Sequence, residues 1–144
     1  MHLEELYQTV ILDHAKRPRN YGPLPEPCQK VQGDNPLCGD EVTLHLKMNG
    51  EDRIEALKFE GQGCAISQAS ASLMTVKLKG KSRQEALQLL DTFHSHLTGE
   101  NPAPLPESYG DLLALAGVKQ FPQRVKCATL SWNALRTLLT ETKD

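Results

Sequence analysis

A predicted antiparallel hairpin restricts the fold of this chain more than any other feature. Over residues 42–48 apolar side chains alternate with polar ones, which predicts a strand with one buried face and one solvated face. Asn49 and Gly50 form a typical hairpin turn, and residues 54–59 are predicted to return as the partner strand. His45 falls on the polar face, so we expect it to be exposed. The apolar face of such a hairpin has to be covered by another layer.

The segment that follows the hairpin contains a thiol between a strand and a helix. Gly61 and Gly63 permit positive φ angles and a close approach of the backbone to whatever group the thiol binds. A helix is predicted over residues 65–79, which places Cys64 at its N-terminus, where the helix dipole and free N–H groups favour a thiolate. A purely structural turn with a buried cysteine is the alternative, and the spacing leaves it open.

The remaining patterns predict an α+β fold. A first helix is expected over residues 3–16, and another begins at the capping box of Ser82 and Glu85 and runs to about residue 97. A short helix is expected around residues 112–115 and should end at Gly117, and the last helix should begin at Pro122. Residues 28–32 are expected to form a short edge strand. Together these elements predict a small, mainly antiparallel three-stranded sheet packed by helices, in a single domain of residues 1–144.

Composition excludes several classes of function. The net charge is −2, without the concentrated basic face of a nucleic-acid-binding protein. No apolar run approaches the roughly 20 residues of a membrane span, and the acidic N-terminal segment does not resemble a signal peptide. We therefore expect a cytoplasmic protein with no nucleic-acid or membrane partner. In that compartment the four cysteines indicate metal, redox or catalytic thiols sooner than disulfides, the alternative being buried, inert cysteines.

Three of the cysteines and one aspartate lie where predicted elements begin or end. Cys38 and Asp40 share a turn before a strand, Cys64 follows a strand, and Cys127 lies in the first turns of a helix. These side chains can reach a common point, although their separations are too long for a zinc-finger knuckle. Three thiolates and a carboxylate suit Zn²⁺, and the same set could hold an iron–sulfur cluster.

The basic residues beside Cys127 and a histidine on the first helix are further candidates for site residues. Arg124 and Lys126 flank Cys127, and cations beside a thiol favour its ionised form. His14 lies on the apolar face of the first helix, where a packed histidine is expected more often than a metal ligand.

Three sequence stretches carry a family resemblance. Residues 35–40 (Asn-Pro-Leu-Cys-Gly-Asp), 61–70 (Gly-Gln-Gly-Cys-Ala-Ile-Ser-Gln-Ala-Ser) and 124–130 (Arg-Val-Lys-Cys-Ala-Thr-Leu) resemble the three signatures of the IscU/NifU-N family of iron–sulfur cluster assembly proteins. The opening helix with Leu6 and Tyr7 and the loop of residues 20–22 are similar too. The resemblance covers nearly the whole chain and implies a SufE/NifU-N-like α+β fold.

Within that family the chain is most similar to the SufU branch. Lys126 precedes the third cysteine, where the IscU branch has histidine, and the chaperone-binding stretch Leu-Pro-Pro-Val-Lys of IscU proteins is absent from this sequence. Residues 80–120 resemble the insertion of SufU proteins. The branch implies a zinc-dependent sulfur acceptor sooner than a cluster scaffold.

The resemblance also implies roles for individual residues. Cys38, Asp40, Cys64 and Cys127 would bind Zn²⁺, and Cys38 would accept sulfur from the persulfide of a pyridoxal-phosphate-dependent cysteine desulfurase of SufS type. Arg124 could steer that persulfide or pair with Asp40, and a role as an ordinary surface cation is the alternative.

Two alternatives to this function stay open at the level of sequence. The first is a scaffold on which a [2Fe–2S] cluster, or iron, is held and passed to apo-proteins. The second is an interaction module with a purely structural zinc. The downstream acceptor of the sulfur would be an iron–sulfur scaffold or an apo-protein, and Cys28 matches no ligand position of the family.

Overall fold

The computed structural model describes residues 3–35, 39–99, 105 and 107–141. The described strands are β1 (Gln29–Asn35), β2 (Asp40–Met48) and β3 (Ile54–Gln62), and the α-helices are α1 (Leu3–Lys16), α2 (Ala65–Leu78), α3 (Arg83–Thr98) and α4 (Pro122–Glu141). A 3₁₀ segment, Glu107–Gln120, precedes α4. Of the helices in these ranges, none has the length and apolarity needed to cross a membrane.

The strands form one antiparallel sheet in the order β1-β2-β3. Leu44 at the centre of β2 pairs with Val31 on β1 and with Phe59 on β3. The predicted hairpin of β2 and β3 is therefore confirmed, and so is the edge strand, which begins at Gln29 and runs three residues further than expected. The predicted three-stranded α+β fold is correct.

Two helices cover the apolar face of the sheet. α2 packs against β3, and α4 packs against β1 and β2, while α1 lies on α2 and α3 lies on α4. The core between these layers contains the fully buried Phe59, Phe93 and Trp132, and the rings of Phe93 and Trp132 lie 4.5 Å apart between centroids. Burial of each such side chain contributes roughly 1.5–3 kcal/mol. This packing fixes α2 and α4 relative to the sheet; Cys64 directly precedes α2, and Cys127 lies on α4.

The expectation that His45 is exposed is wrong. Its side chain is buried, with 3% of its surface exposed, and its Nε2 atom lies 2.8 Å from Oε1 of Glu60. His45 belongs to the central strand and is flanked in register by Lys30 on β1 and Lys58 on β3. Alternation along one strand identifies the face of a residue but not whether neighbouring strands cover it.

The predicted end of a helix at Gly117 is also wrong. The 3₁₀ segment continues through Gly117 to Gln120, and the N–H of Phe121 donates to the carbonyl of Val118 over 2.8 Å. Glycine in a helix costs about 1 kcal/mol relative to alanine and does not by itself end it. The interruption lies instead at Gly110, which has non-helical angles (φ 58°, ψ −128°).

Candidate metal centre

Asp40 provides a buried carboxylate at the beginning of β2. It pairs in register with Asn35 on β1, and its side chain is fully buried. Its Oδ1 atom accepts a hydrogen bond of 2.8 Å from the backbone N–H of Cys64. A carboxylate is costly to bury unless hydrogen bonds or a nearby cation compensate. The Cys64 N–H supplies one such partner and fixes the carboxylate beside the start of α2.

Gly63 makes this approach of the carboxylate possible. A Cβ atom built at position 63 would overlap Oδ1 of Asp40 and would lie 2.8 Å from its Cγ. The φ angle of Gly63 is +157°, which side chains rarely adopt. Sequence reasoning anticipated a close approach at this glycine, but nothing local in the sequence identified Asp40 as the group that approaches.

Cys64 is the N-cap residue of α2. Its backbone is extended (φ −72°, ψ 165°), and its Sγ accepts a hydrogen bond of 3.4 Å from the N–H of Ser67. The same Sγ lies 3.7 Å from Oδ2 of Asp40. The predicted placement of Cys64 at a helix N-terminus is therefore confirmed. The residue is exposed, so its thiol is open to solvent on one side.

Cys127 completes a cluster of three possible ligands. It lies near the start of α4 and is 93% buried, since 7% of its surface is exposed. One ligand atom each from Asp40, Cys64 and Cys127 lies within 4.8 Å of the others. Cys38, the fourth predicted ligand, lies outside the described residues. The structure thus brings together three of the four predicted ligands, from β2, the start of α2 and α4.

The chemistry of this cluster fits a metal ion. Two thiols and one carboxylate are ligands that Zn²⁺ accepts, and a tetrahedral site requires one more. A cation would also stabilise the fully buried Asp40 carboxylate. Both thiols are free of disulfides. The arrangement can therefore hold a soft divalent ion, or the iron of a cluster.

Arg124 lies one helical turn before Cys127 on the exposed surface of α4. Residues three apart on a helix share a face, so Arg124 is on the side of the helix that carries Cys127. Its Cζ atom lies 4.8 Å from the centre of the Phe121 ring, and Phe121 is itself 48% exposed. This stacking holds the guanidinium over an exposed aromatic ring near the start of α4.

His14 and Cys28 do not join the cluster of Asp40, Cys64 and Cys127. His14 is packed, as expected, and its Nδ1 lies 2.7 Å from Oγ of Ser72. Burial lowers the pKa of His14 below its usual value, and the charge of Arg19 lowers it further. The thiol of Cys28 is half-buried and lies 3.7 Å from the carbonyl of Leu24.

Comparison with known proteins identifies the family. The sequence profile of the NifU-like N terminal domain matches residues 6–128. The chain belongs to the NifU-like N-terminal domain family. The resemblance derived from the three signatures is therefore confirmed, and so is the α+β fold that it implied.

Members of the NifU-like family that resemble this chain carry two kinds of name. The iron–sulfur cluster assembly scaffold protein IscU of Streptococcus pyogenes serotype M1 is 49% identical over 135 residues, which cover 93% of this chain and 82% of that protein. The zinc-dependent sulfurtransferase SufU of Bacillus subtilis (strain 168) is 47% identical over 133 residues, which cover 92% of this chain and 88% of that protein. This chain is a member of the iron–sulfur cluster assembly family that includes IscU and SufU proteins.

A solved structure shares the fold of this NifU-like chain. The crystal structure of the protein FiSufU from Fervidobacterium islandicum AW-1 superposes with a TM-score of 0.83 at 38% identity. The superposition covers 94% of this chain and 98% of that one. The agreement extends over the sheet and the helices that position the cluster.

Proposed function

We propose that this protein is a zinc-dependent sulfur acceptor in iron–sulfur cluster assembly. The observation that carries the proposal is the convergence of Asp40, Cys64 and Cys127, whose ligand atoms lie within 4.8 Å of one another. The Bacillus subtilis relative that is 47% identical is named a zinc-dependent sulfurtransferase, which supports the same conclusion. Sulfur would come from the persulfide of a pyridoxal-phosphate-dependent cysteine desulfurase.

Zinc would be held by Asp40, Cys64, Cys127 and Cys38. Bound zinc would keep these thiols deprotonated without oxidising them, since Zn²⁺ has no redox chemistry. The chain itself fixes two of the four ligands in rigid positions. Asp40 is held by the N–H of Cys64, and Cys127 lies within the buried part of α4.

The sulfur transfer would take place at Cys38. Its thiolate attacks the terminal sulfur of the partner's persulfide, forming a new S–S bond to Cys38. The S–S bond of the partner breaks, and the partner's cysteine leaves with the bonding electron pair as a thiolate. The persulfide is anionic near neutral pH, so its charge moves with the terminal sulfur and no proton is transferred. The product is a persulfide on Cys38, with no net oxidation.

Arg124 would guide the partner's persulfide to this point. A persulfide is an anion near neutral pH, and Arg124 presents an exposed guanidinium one turn from Cys127. Lys126 adds a second exposed cation on the same turn. The sulfur would then pass to a downstream iron–sulfur scaffold or to an apo-protein.

A second candidate function is a scaffold on which a [2Fe–2S] cluster is assembled. The Streptococcus pyogenes relative, 49% identical, carries the name of a scaffold protein, and thiolates are the usual ligands of iron–sulfur clusters. Lys126 favours the sulfur acceptor, because the IscU branch has histidine at that position.

The two candidates differ in the metal content of the protein as it is purified. The sulfur acceptor should contain one zinc per chain, whereas the scaffold should contain iron and acid-labile sulfide. The deciding assay measures desulfurase turnover with the wild-type chain, with Cys38→Ala and with the control Cys28→Ala. Cys28 precedes the first residue of β1, whereas Asp40 pairs with the last residue of that strand. We expect wild type and Cys28→Ala to stimulate turnover several-fold and Cys38→Ala to abolish the stimulation. Undiminished stimulation by Cys38→Ala would refute the proposal.

A further inference from the structure

A buried hydrogen-bonded bridge connects α2 and α4, the helices that carry Cys64 and Cys127. Ser70 on α2 is fully buried, and its hydroxyl donates to the backbone carbonyl of Ala128 over 2.5 Å. The same hydroxyl oxygen accepts a hydrogen bond of 2.9 Å from Nε1 of Trp132, which is also fully buried. Ala128 directly follows Cys127 in the chain.

We propose that Ser70 is a positioning residue for the metal centre, because it holds the turn of α4 that bears Cys127 against the helix that begins at Cys64. The bridge contacts α4 at two points one helical turn apart, the carbonyl of Ala128 and the ring of Trp132. Two contacts on one turn fix both the distance of that turn from α2 and its rotation about the axis of α4. The part of this inference that concerns zinc rests on the proposed function.

The hydroxyl group itself carries this role. A serine hydroxyl has one donor hydrogen and accepts through its lone pairs. The Ser70 oxygen accepts from the N–H of Trp132, and the Ser70 hydrogen is donated to the carbonyl of Ala128. The hydroxyl therefore cannot rotate without breaking its hydrogen bond to Ala128. Removing it leaves a buried indole N–H without its acceptor, which favours a shift of α4 relative to α2.

Ser72 offers a matched control on the same helix. It is as fully buried as Ser70, and its hydroxyl is also hydrogen-bonded, but to other partners. Its Oγ accepts from the backbone N–H of Arg19 over 2.8 Å and lies 2.7 Å from Nδ1 of His14. Ser72→Ala therefore deletes the same group at the same burial, but on the side of α2 that faces α1.

The first test measures zinc affinity by competition with a chromophoric chelator. We expect Ser70→Ala to bind zinc about tenfold more weakly than wild type, the lower end of the range for groups that support metal ligands. The zinc affinity of Ser72→Ala should stay within about twofold of the wild-type value, because Ser72 does not hold a turn that bears a metal ligand. Equal affinities for Ser70→Ala and Ser72→Ala, whether reduced or unchanged, would overturn the inference.

The second test needs no metal. In a Cys28→Ser, Cys38→Ser background only Cys64 and Cys127 remain of the four cysteines. Phenylarsine oxide binds two thiols that lie close together, so its affinity reports the distance between this pair in the metal-free chain. Ser70→Ala in this background should bind the arsenical more weakly than the parent, and Ser72→Ala should bind it equally well. The same arsenical affinity in all three proteins would overturn the inference.

These two tests separate failure of the inference from failure of the proposed function. A wild-type chain that binds iron and sulfide in place of zinc would refute the zinc proposal, yet the arsenical would still report the position of Cys127.

Circular dichroism identifies a variant that does not fold. If Ser70→Ala does not fold, Trp132→Phe replaces it, because loss of the indole N–H frees the Ser70 hydroxyl to rotate. Trp132→Phe should weaken arsenical binding in the same direction, and unchanged binding would overturn the inference.

Discussion

Replacing Gly63 by alanine should disrupt the buried carboxylate of the candidate metal centre. The new Cβ would overlap Oδ1 of Asp40, and the residue would have to keep a φ angle of +157° or move. The overlapped atom is the same oxygen that accepts the hydrogen bond of the Cys64 N–H. The substitution thus acts on the backbone conformation and on the carboxylate together.

The two effects can be assigned magnitudes. A non-glycine residue in this backbone region costs of order 1–3 kcal/mol. Displacing Asp40 from the Cys64 N–H loses a hydrogen bond to a charged group, about 1.5–3 kcal/mol, and no solvent replaces it because Asp40 is fully buried. The expected total is roughly 2.5–6 kcal/mol, a large part of the 5–15 kcal/mol by which domains are typically stable.

The assay is urea denaturation of the metal-free chain, with Gly80→Ala as the control. Gly80 also has a positive φ angle, +89°, but an added Cβ would meet nothing within 4 Å. The control should lose only the conformational term, about 1–2 kcal/mol. Gly63→Ala should lose more than Gly80→Ala and should also bind zinc more weakly. If both variants lose the same stability and Gly63→Ala binds zinc like wild type, the described contact of Gly63 with Asp40 is wrong.

Three further predictions concern the stability of the fold outside the candidate metal centre. The pKa of His14 is lower in the folded chain than in the unfolded chain, so as the pH falls through about 6.5 the unfolded chain binds a proton first. The contribution of His14 to the free energy of unfolding should therefore be at its maximum above about pH 6.5 and should decrease as the pH falls toward the folded pKa. Denaturation at several pH values should show a flatter profile for His14→Gln, and an identical slope would contradict it. Ser82 caps α3, and its Oγ accepts a hydrogen bond from the N–H of Glu85. Ser82→Ala removes this cap and should lower the free energy of unfolding by about 0.5–2 kcal/mol. The pKa of Glu85 is lowered by a hydrogen bond from the backbone N–H of Ser82 and by a second one from its side chain. Ser82→Ala keeps the first and removes the second, so the pKa should rise, and an NMR titration without a shift would refute this. Phe93→Ala should cost about 3–5 kcal/mol in thermal or urea unfolding, since its ring is fully buried, and a loss below 1 kcal/mol would contradict the described packing.

Elements with a local cause were predictable from the sequence. The hairpin follows from alternation over residues 42–48 and from the turn at Asn49 and Gly50, and the structure contains both strands. The start of α3 follows from the capping box of Ser82 and Glu85, which is present with both hydrogen bonds. In these cases the residues that decide the structure lie within a few positions of one another.

Contacts between distant residues were not predictable, with one exception at the candidate metal centre. The burial of His45 depends on strands on both sides of β2, and the bridge from Ser70 to Trp132 spans 62 residues. The convergence of Asp40, Cys64 and Cys127 was anticipated because each lies at an element end within a family signature. The contact of Gly63 with Asp40, which fixes the carboxylate within that cluster, has no local signal in the sequence.

The central claim is that one ion is bound by residues from three separate parts of the chain. X-ray absorption at the zinc K-edge, on protein loaded with one zinc per chain, tests it most directly. We expect three sulfur ligands at about 2.3 Å, from Cys38, Cys64 and Cys127, and one oxygen ligand at about 2.0–2.2 Å, from Asp40. A first shell with fewer than three sulfurs would contradict it.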